Sequence, residues 1–192
     1  NEGDFIREKY ADKDESLALF VGRLVPHKGI GILIRAINYT QNGKLMIIGD
    51  GPYLSWLKKL TKKLGLEERI IFVGPISDYW LPAYYAATDV VVLPSTSRLE
   101  AFGIVGLEGM ATGKPLILSN IPGVREVISP EEGFIVEPLD PEAIAEALEK
   151  IWSYPETAKQ MGKRGRERVE KLFSWEKVSK DIETIFLDLV SK

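Results

Sequence analysis

The stretch "LALFVGRLVPHKGIGILIRAINYTQNGKLMIIG", residues 17–49, holds two short apolar runs separated by a segment of helical period. The runs "LALFVG" and "KLMIIG" are continuous rather than alternating, which is the pattern of strands buried on both faces. Between them, "GIGILIRAINYT" repeats its apolar residues at intervals of three and four, so the unit reads strand, helix, strand. A unit of this kind lays its two strands parallel and crosses between them with a right hand.

The same rhythm extends in both content and order. "IIFVG" (70–74), "VVVLP" (90–94), "PLILS" (115–119) and "GFIVE" (133–137) add four more strand-length apolar runs, six in all. "PYLSWLKKLTKKLG" predicts a second helix, opened by Pro52 and closed by Gly65. A helix carrying Glu108 stops at "ATGKP", where Gly113 caps its end and Pro115 prevents continuation. After residue 139 the strands cease, and three helices follow in a row, the first and third N-capped by Asp140 and Ser174. The prediction is one α/β domain over residues 1–192, a Rossmann-like three-layer αβα fold with a parallel sheet of about six strands.

Composition narrows the chemistry. A chain of 192 residues without cysteine has no disulfide framework and no thiolate nucleophile, and its single histidine excludes a multi-histidine metal site. The net charge of -3 argues against nucleic acid as the main partner, since phosphate-backbone binding needs a basic excess. No apolar run approaches the roughly 20 residues of a membrane span, and the polar start "NEGDFIREKYADKDES" is no signal peptide. The expectation is a soluble cytoplasmic protein. Abundant charge, at 28% of residues, with few Met, Asn and Gln leans toward a heat-adapted source.

In open parallel sheets ligands bind beyond the carboxyl ends of the strands. Three of those loops carry unusual residues. After the first strand, "GRLVPHKGIG" sets Arg23 and Lys28 between glycines at a helix start, a place that attracts anions and suits a diphosphate. Two ordinary solvated charges would read the same way. After the second strand, Gly49 and Gly51 of "GDGP" either let backbone approach a ligand or make a tight turn. After the fourth strand comes "RLEAFGIVGLEGM", with Glu100 in the loop and Glu108 about one and a half helical turns in, roughly 8 Å along the axis. Two carboxylates flanking a helix start match a nucleoside-diphosphate sugar, whose phosphates lie between hydroxyl-bearing rings. Two glutamates that merely decorate a helix remain the alternative.

"RLEAFGIVGLEGMATGKPLILSN" resembles the E-x7-E motif of retaining glycosyltransferases of the GT-B fold. "VGRLVPHKGI", "IIGDGP" and "IIFVGPIS" fall in the order expected of glycosyltransferase family 4, and "FSWEKVSKDI" is similar to that family's C-terminal helix. The resemblance implies that Gly22, Arg23 and Lys28 grip the donor diphosphate, with Gly49 and Gly51 close to it. It places Glu100, Ala101, Phe102, Gly103 and Ile104 on the donor sugar and its phosphate, Glu108 on the ribose hydroxyls, and Gly74, Pro75 and Ile76 on the base. Arg23, Lys28 and Glu100 would be the catalytic set, without a metal or other cofactor. A UDP-, GDP- or ADP-sugar is the implied donor, and a sugar, polysaccharide or lipid-linked molecule the acceptor. The resemblance also implies that this chain is the C-terminal, donor-binding half alone, inactive without an N-terminal Rossmann-like partner. Peripheral membrane contact belongs to the full enzyme. Asn120 and "NIPGVRE" depart from the usual pattern.

Other features read less sharply. Asp12, Lys13 and Asp14 spell a D-x-D but precede the first strand; His27 lacks an obvious acidic partner. Lys58, Lys59, Lys62 and Lys63, and the basic run 159–171, read as solvated helix faces, and the scattered tryptophans as packing anchors. Three alternatives stay open: a glycoside hydrolase using Glu100 and Glu108, a nucleotide-sugar epimerase, and a noncatalytic nucleotide-binding module.

Overall fold

A computed structural model describes residues 2–12 and 14–190. All six predicted strands form: β1 (Leu17–Val21), β2 (Lys44–Ile48), β3 (Ile70–Gly74), β4 (Val90–Leu93), β5 (Leu116–Ser119) and β6 (Gly133–Val136). They make one parallel sheet in the order β3-β2-β1-β4-β5-β6. Eight helices surround it among the described residues: α1 (Glu2–Tyr10), α2 (Ile30–Tyr39), α3 (Leu54–Lys63), α4 (Leu81–Ala87), α5 (Ile104–Ala111), α6 (Pro141–Ser153), α7 (Pro155–Leu172) and α8 (Trp175–Val190).

The continuous apolar runs are strands because alternate side chains feed two different cores. From β1, Ala18 and Phe20 join the layer built with α2, α3 and α6, whereas Leu17 and Leu19 join the layer built with α1, α4, α5 and α7. The other inner strands divide likewise: Leu45 and Ile47 against Met46 and Ile48, Val90 and Val92 against Val91 and Leu93. Each large side chain buried this way contributes roughly 1.5–3 kcal/mol. A polar residue in the middle of β1 or β4 would therefore spoil one of the two layers.

Several boundaries differ from expectation. Pro52 lies in a turn and α3 begins at Leu54, because the Tyr53 amide donates to the Leu24 carbonyl at 3.0 Å before the chain turns helical. α1 and α4 go unread in the sequence, α1 being mostly polar and α4 only seven residues long. α1 is secured by Arg7, which donates to both oxygens of Asp89 and to the carbonyls of Glu15 and Ala87. Asp140 caps α6 by accepting from the Ala143 amide at 2.9 Å, and Ser174 accepts from the Lys177 amide at 3.3 Å, as their positions predict. Of the tryptophans, Trp56 stacks on Tyr53 at 4.4 Å, Trp80 meets Tyr79 edge-on at 5.4 Å and Trp152 packs against the core, whereas Trp175 is exposed. In the D-x-D reading, Lys13 lies outside the described residues.

Candidate functional site

Strand order reverses direction between β1 and β4, and at such a switch point the loops leaving the two strands separate to leave a crevice. The β1 loop passes through a 3-10 turn, Pro26–Lys28, and enters α2 at Gly29. The β4 loop runs from Pro94 to Gly103, where α5 starts. The two loops are locked together at their bases: Thr96 donates to the His27 carbonyl from its amide at 2.8 Å and from its hydroxyl at 3.2 Å. Gly29 has a φ of 70°, and a Cβ there would sit 1.9 Å from the Pro94 carbonyl oxygen, so no other residue permits this approach.

Neighbouring loops are tied in the same manner. The Gly22 amide donates to the Ile48 carbonyl at 3.0 Å, Leu24 to Asp50 at 2.9 Å, and Gly49 to Gly74 at 3.0 Å. A Cβ on Gly49 would lie 2.0 Å from the Gly22 carbonyl oxygen, and one on Gly51 would lie 2.4 Å from that of Leu24. "GDGP" is thus glycine-rich because three loops pack backbone to backbone there. Gly22, Gly49, Gly51 and Gly74 form a rigid floor at one end of the sheet.

Above that floor the predicted side chains come together in an unexpected way. Lys28 and Glu100, 72 residues apart, form an ion pair with side chains only 19% and 11% exposed. Ser95 adds its hydroxyl to the same Glu100 oxygen, Oε2, at 3.1 Å. Arg23 stays exposed and makes no ion pair among the described residues. Ala101, Phe102 and Ile104 are exposed, and Gly103 is buried in the left-handed conformation at the start of α5, which no side chain caps. The site therefore offers one free cation, one cation shared with a carboxylate, and a helix start whose amides are open to an anion.

Glu108 lies on α5, and Tyr85 of α4 donates its hydroxyl to Glu108 Oε2 at 2.6 Å. Burial first, and the Glu108 carboxylate second, push the Tyr85 hydroxyl well above the ordinary tyrosine range, so it remains a donor at any physiological pH. A cavity of about 360 Å³ adjoins the pair, bounded by Asp78, Leu81, Pro82, Ala111 and Thr112. Pro75 is exposed and Ile76 half-buried beyond the end of β3. The loop containing Asn120 and Glu126 supports the site from behind: the Gly123 amide donates to Glu126 at 2.6 Å, and Gly123 packs on the Ala101 carbonyl.

Ser95 and Tyr85 are the additions to the predicted set. Among the described residues no cluster of three or more His, Asp or Glu side chains could hold a metal, and no helix is long and apolar enough to cross a membrane. His27 takes part through its backbone carbonyl.

Comparison with known proteins bears on the family and the fold. Residues 2–168 match the family model described as glycosyl transferases group 1. The chain belongs to the group 1 glycosyltransferases. It is 35% identical over 190 residues to an uncharacterised glycosyltransferase of Methanocaldococcus jannaschii, covering 95% of this chain and 47% of that one. It is 33% identical to the GDP-mannose-dependent α-(1-6)-phosphatidylinositol monomannoside mannosyltransferase of Mycolicibacterium smegmatis, covering 88% and 47%. Among solved structures, a sucrose-phosphate synthase from Thermosynechococcus elongatus superimposes with a TM-score of 0.89 at 35% identity, over 98% of this chain and 49% of that one. The C-terminal domain of a group 1 family glycosyl transferase from Francisella tularensis superimposes with a TM-score of 0.79 at 26% identity, over 91% and 94%. The fold of this group 1 glycosyltransferase is the three-layer Rossmann-like domain of GT-B type enzymes. The chain spans about half the length of the curated relatives it matches.

Proposed function

We propose that this chain is the C-terminal, donor-binding half of a retaining glycosyltransferase of family 4, and that it holds a nucleoside-diphosphate sugar in the crevice between β1 and β4. The observation that carries the reading is the pairing of Lys28 with Glu100 in the loops of the switch point, next to the uncapped start of α5, the helix that carries Glu108. The match over 94% of the Francisella tularensis C-terminal domain supports the placement within a two-part enzyme. An N-terminal Rossmann-like half would close the cleft and bring the sugar, polysaccharide or lipid-linked acceptor.

In this mechanism Arg23 and the α5 amides meet the diphosphate, and Lys28 turns from Glu100 to the leaving phosphate. Glu100, released, accepts from the hydroxyls of the donor sugar. Negative charge grows on the phosphate as the glycosidic bond breaks, so these donors stabilise the transition state more than the ground state. The departing phosphate helps take the acceptor proton on the same face, and configuration is retained. Cationic side chains and amides supply the charge that a metal supplies in other transferases.

Calorimetric titration with UDP, GDP, ADP and their hexose conjugates tests the proposal, beside a Glu108→Ala variant. Saturable binding of one nucleotide, weakened in the variant, is expected. Binding to none of them, or equal binding in the variant, would refute the donor-site assignment.

A further inference from the structure

Glu108 and Tyr85 come from different helices and are joined by one hydrogen bond, yet their surroundings are unlike. Tyr85 is 2% exposed, and its ring packs in the core layer with Met46, Leu93 and Met110. A tyrosine has two side-chain torsions, so once the ring is packed the hydroxyl has a fixed position. Glu108 is half-buried and borders the 360 Å³ cavity, which leaves its flexible chain room to turn aside. The bond runs from the fixed group to the free one, Tyr85 Oη to Glu108 Oε2 at 2.6 Å. Among the described residues nothing donates to the other oxygen, Oε1.

A carboxylate has about four lone-pair sites, and a vicinal diol uses two of them in one plane. That contact needs the carboxylate plane to be set in advance, because each rotor frozen on binding reduces affinity. We propose that Tyr85 is the positioning residue for Glu108: its core-anchored hydroxyl fixes Oε2 so that the remaining lone pairs face a ribose diol. The inference rests on the donor-site reading above and adds a residue to it. Burial holds the Tyr85 hydroxyl protonated, so the anchor does not switch off within the working pH range.

The test separates the two layers of argument. The chain, its Tyr85→Phe and Glu108→Gln variants and the double variant are titrated with UDP, GDP and ADP and with the 2′-deoxy form of each. Glu108→Gln should abolish most of the preference for the ribonucleotide. Tyr85→Phe should weaken the ribonucleotide about fivefold and the deoxynucleotide less than twofold, the size of one lost hydrogen bond. The double variant should bind no more weakly than Glu108→Gln alone. An unchanged preference in Tyr85→Phe, or equal weakening of both nucleotides, would make Tyr85 a core filler and overturn the inference while the donor site stands. An unchanged preference in Glu108→Gln, or none in the parent chain, would overturn the donor-site reading itself. Should Tyr85→Phe fail to fold, a crystal structure of the parent chain with the nucleotide decides: ribose on Glu108 with Tyr85 still on the same carboxylate supports positioning, and ribose on the Tyr85 hydroxyl overturns it.

Discussion

The Lys28–Glu100 pair makes the most discriminating stability prediction. Its side chains are 19% and 11% exposed, so it sits much nearer the buried than the surface class of ion pairs. Surface pairs contribute about 0–1 kcal/mol, whereas removing one member of a buried pair costs about 3–5 kcal/mol, chiefly by stranding the other charge. Lys28→Met leaves Glu100 in its buried position with the Ser95 hydroxyl, at 3.1 Å, as its remaining partner. Allowing for the residual solvent, the expected loss is about 2–3 kcal/mol. For a chain of this size that lowers Tm by roughly 4–12 °C.

Glu100→Gln should cost less, about 1 kcal/mol, because the amide oxygen still accepts from Ser95 and Lys28 has a flexible stem to reach solvent. The double variant Lys28→Met/Glu100→Gln carries no stranded charge and should recover most of the loss, to within about 1 kcal/mol of the parent. Urea unfolding of all four proteins at neutral pH measures the coupling. A double variant at the sum of the two single losses would show that the side chains do not interact, and the pairing would have to be abandoned. That result would also remove the reason for a partner exchange when a diphosphate arrives.

Other expectations follow from the same geometry. Glu100→Gln should bind a free nucleoside diphosphate a few-fold more tightly than the parent, because Lys28 is no longer held and a carboxylate near the anion is gone; weaker binding in titration would contradict the exchange. Gly49→Ala places a Cβ about 2 Å from the Gly22 carbonyl at a φ of 128°, and should cost at least about 2 kcal/mol in unfolding experiments, with a near-neutral result refuting the three-loop floor. Tyr84 is pushed up to about 12, by burial first and the Tyr10 hydroxyl second, and Tyr85 is pushed higher still. The folded chain thus keeps protons that the unfolded chain releases above pH 10, so stability is complete below pH 10 and falls as pH rises past it. Urea midpoints at pH 9 and pH 11 should show a smaller drop for Tyr85→Phe than for the parent, and equal drops would refute the assignment.

The sheet was legible because its signal is local and repeated. β1, β2, β4 and β5 each bury both faces, so three to five consecutive apolar residues announce them. α1 was not legible: in "EGDFIREKY" only Gly3 and Ile6 are buried, and the helix is held by the contacts of Arg7 with Asp89, 82 residues away. α4 is a seven-residue helix with Pro82 in its first turn, too short for a period to show. The start of α3 was misplaced because a proline before an apolar run signals a first turn, while the bond from Tyr53 to Leu24 that delays the helix is not a local event.

The site divides along the same line. Its loops and acids stood out because cations and carboxylates cluster at strand ends and a helix start, while the glycines that also marked those loops prove to serve backbone packing. What each acid touches could not, since the partners lie 72 residues away for Glu100 and 23 for Glu108. This changes the chemistry assigned to them. As isolated charges, Lys28 and Glu100 would wait for separate parts of a ligand; as a pair they neutralise one another, and the exposed Arg23 is left as the unpaired charge at the site. A ligand able to replace both halves of that pair, an anion for Lys28 and hydroxyls for Glu100, leaves neither charge stranded. One with only the phosphates leaves Glu100 beside an anion without its cation, and the few-fold gain expected for Glu100→Gln measures that net cost. Preference for a sugar nucleotide over its free nucleotide can therefore arise from the protein's own pairing, before any contact specific to the sugar is made.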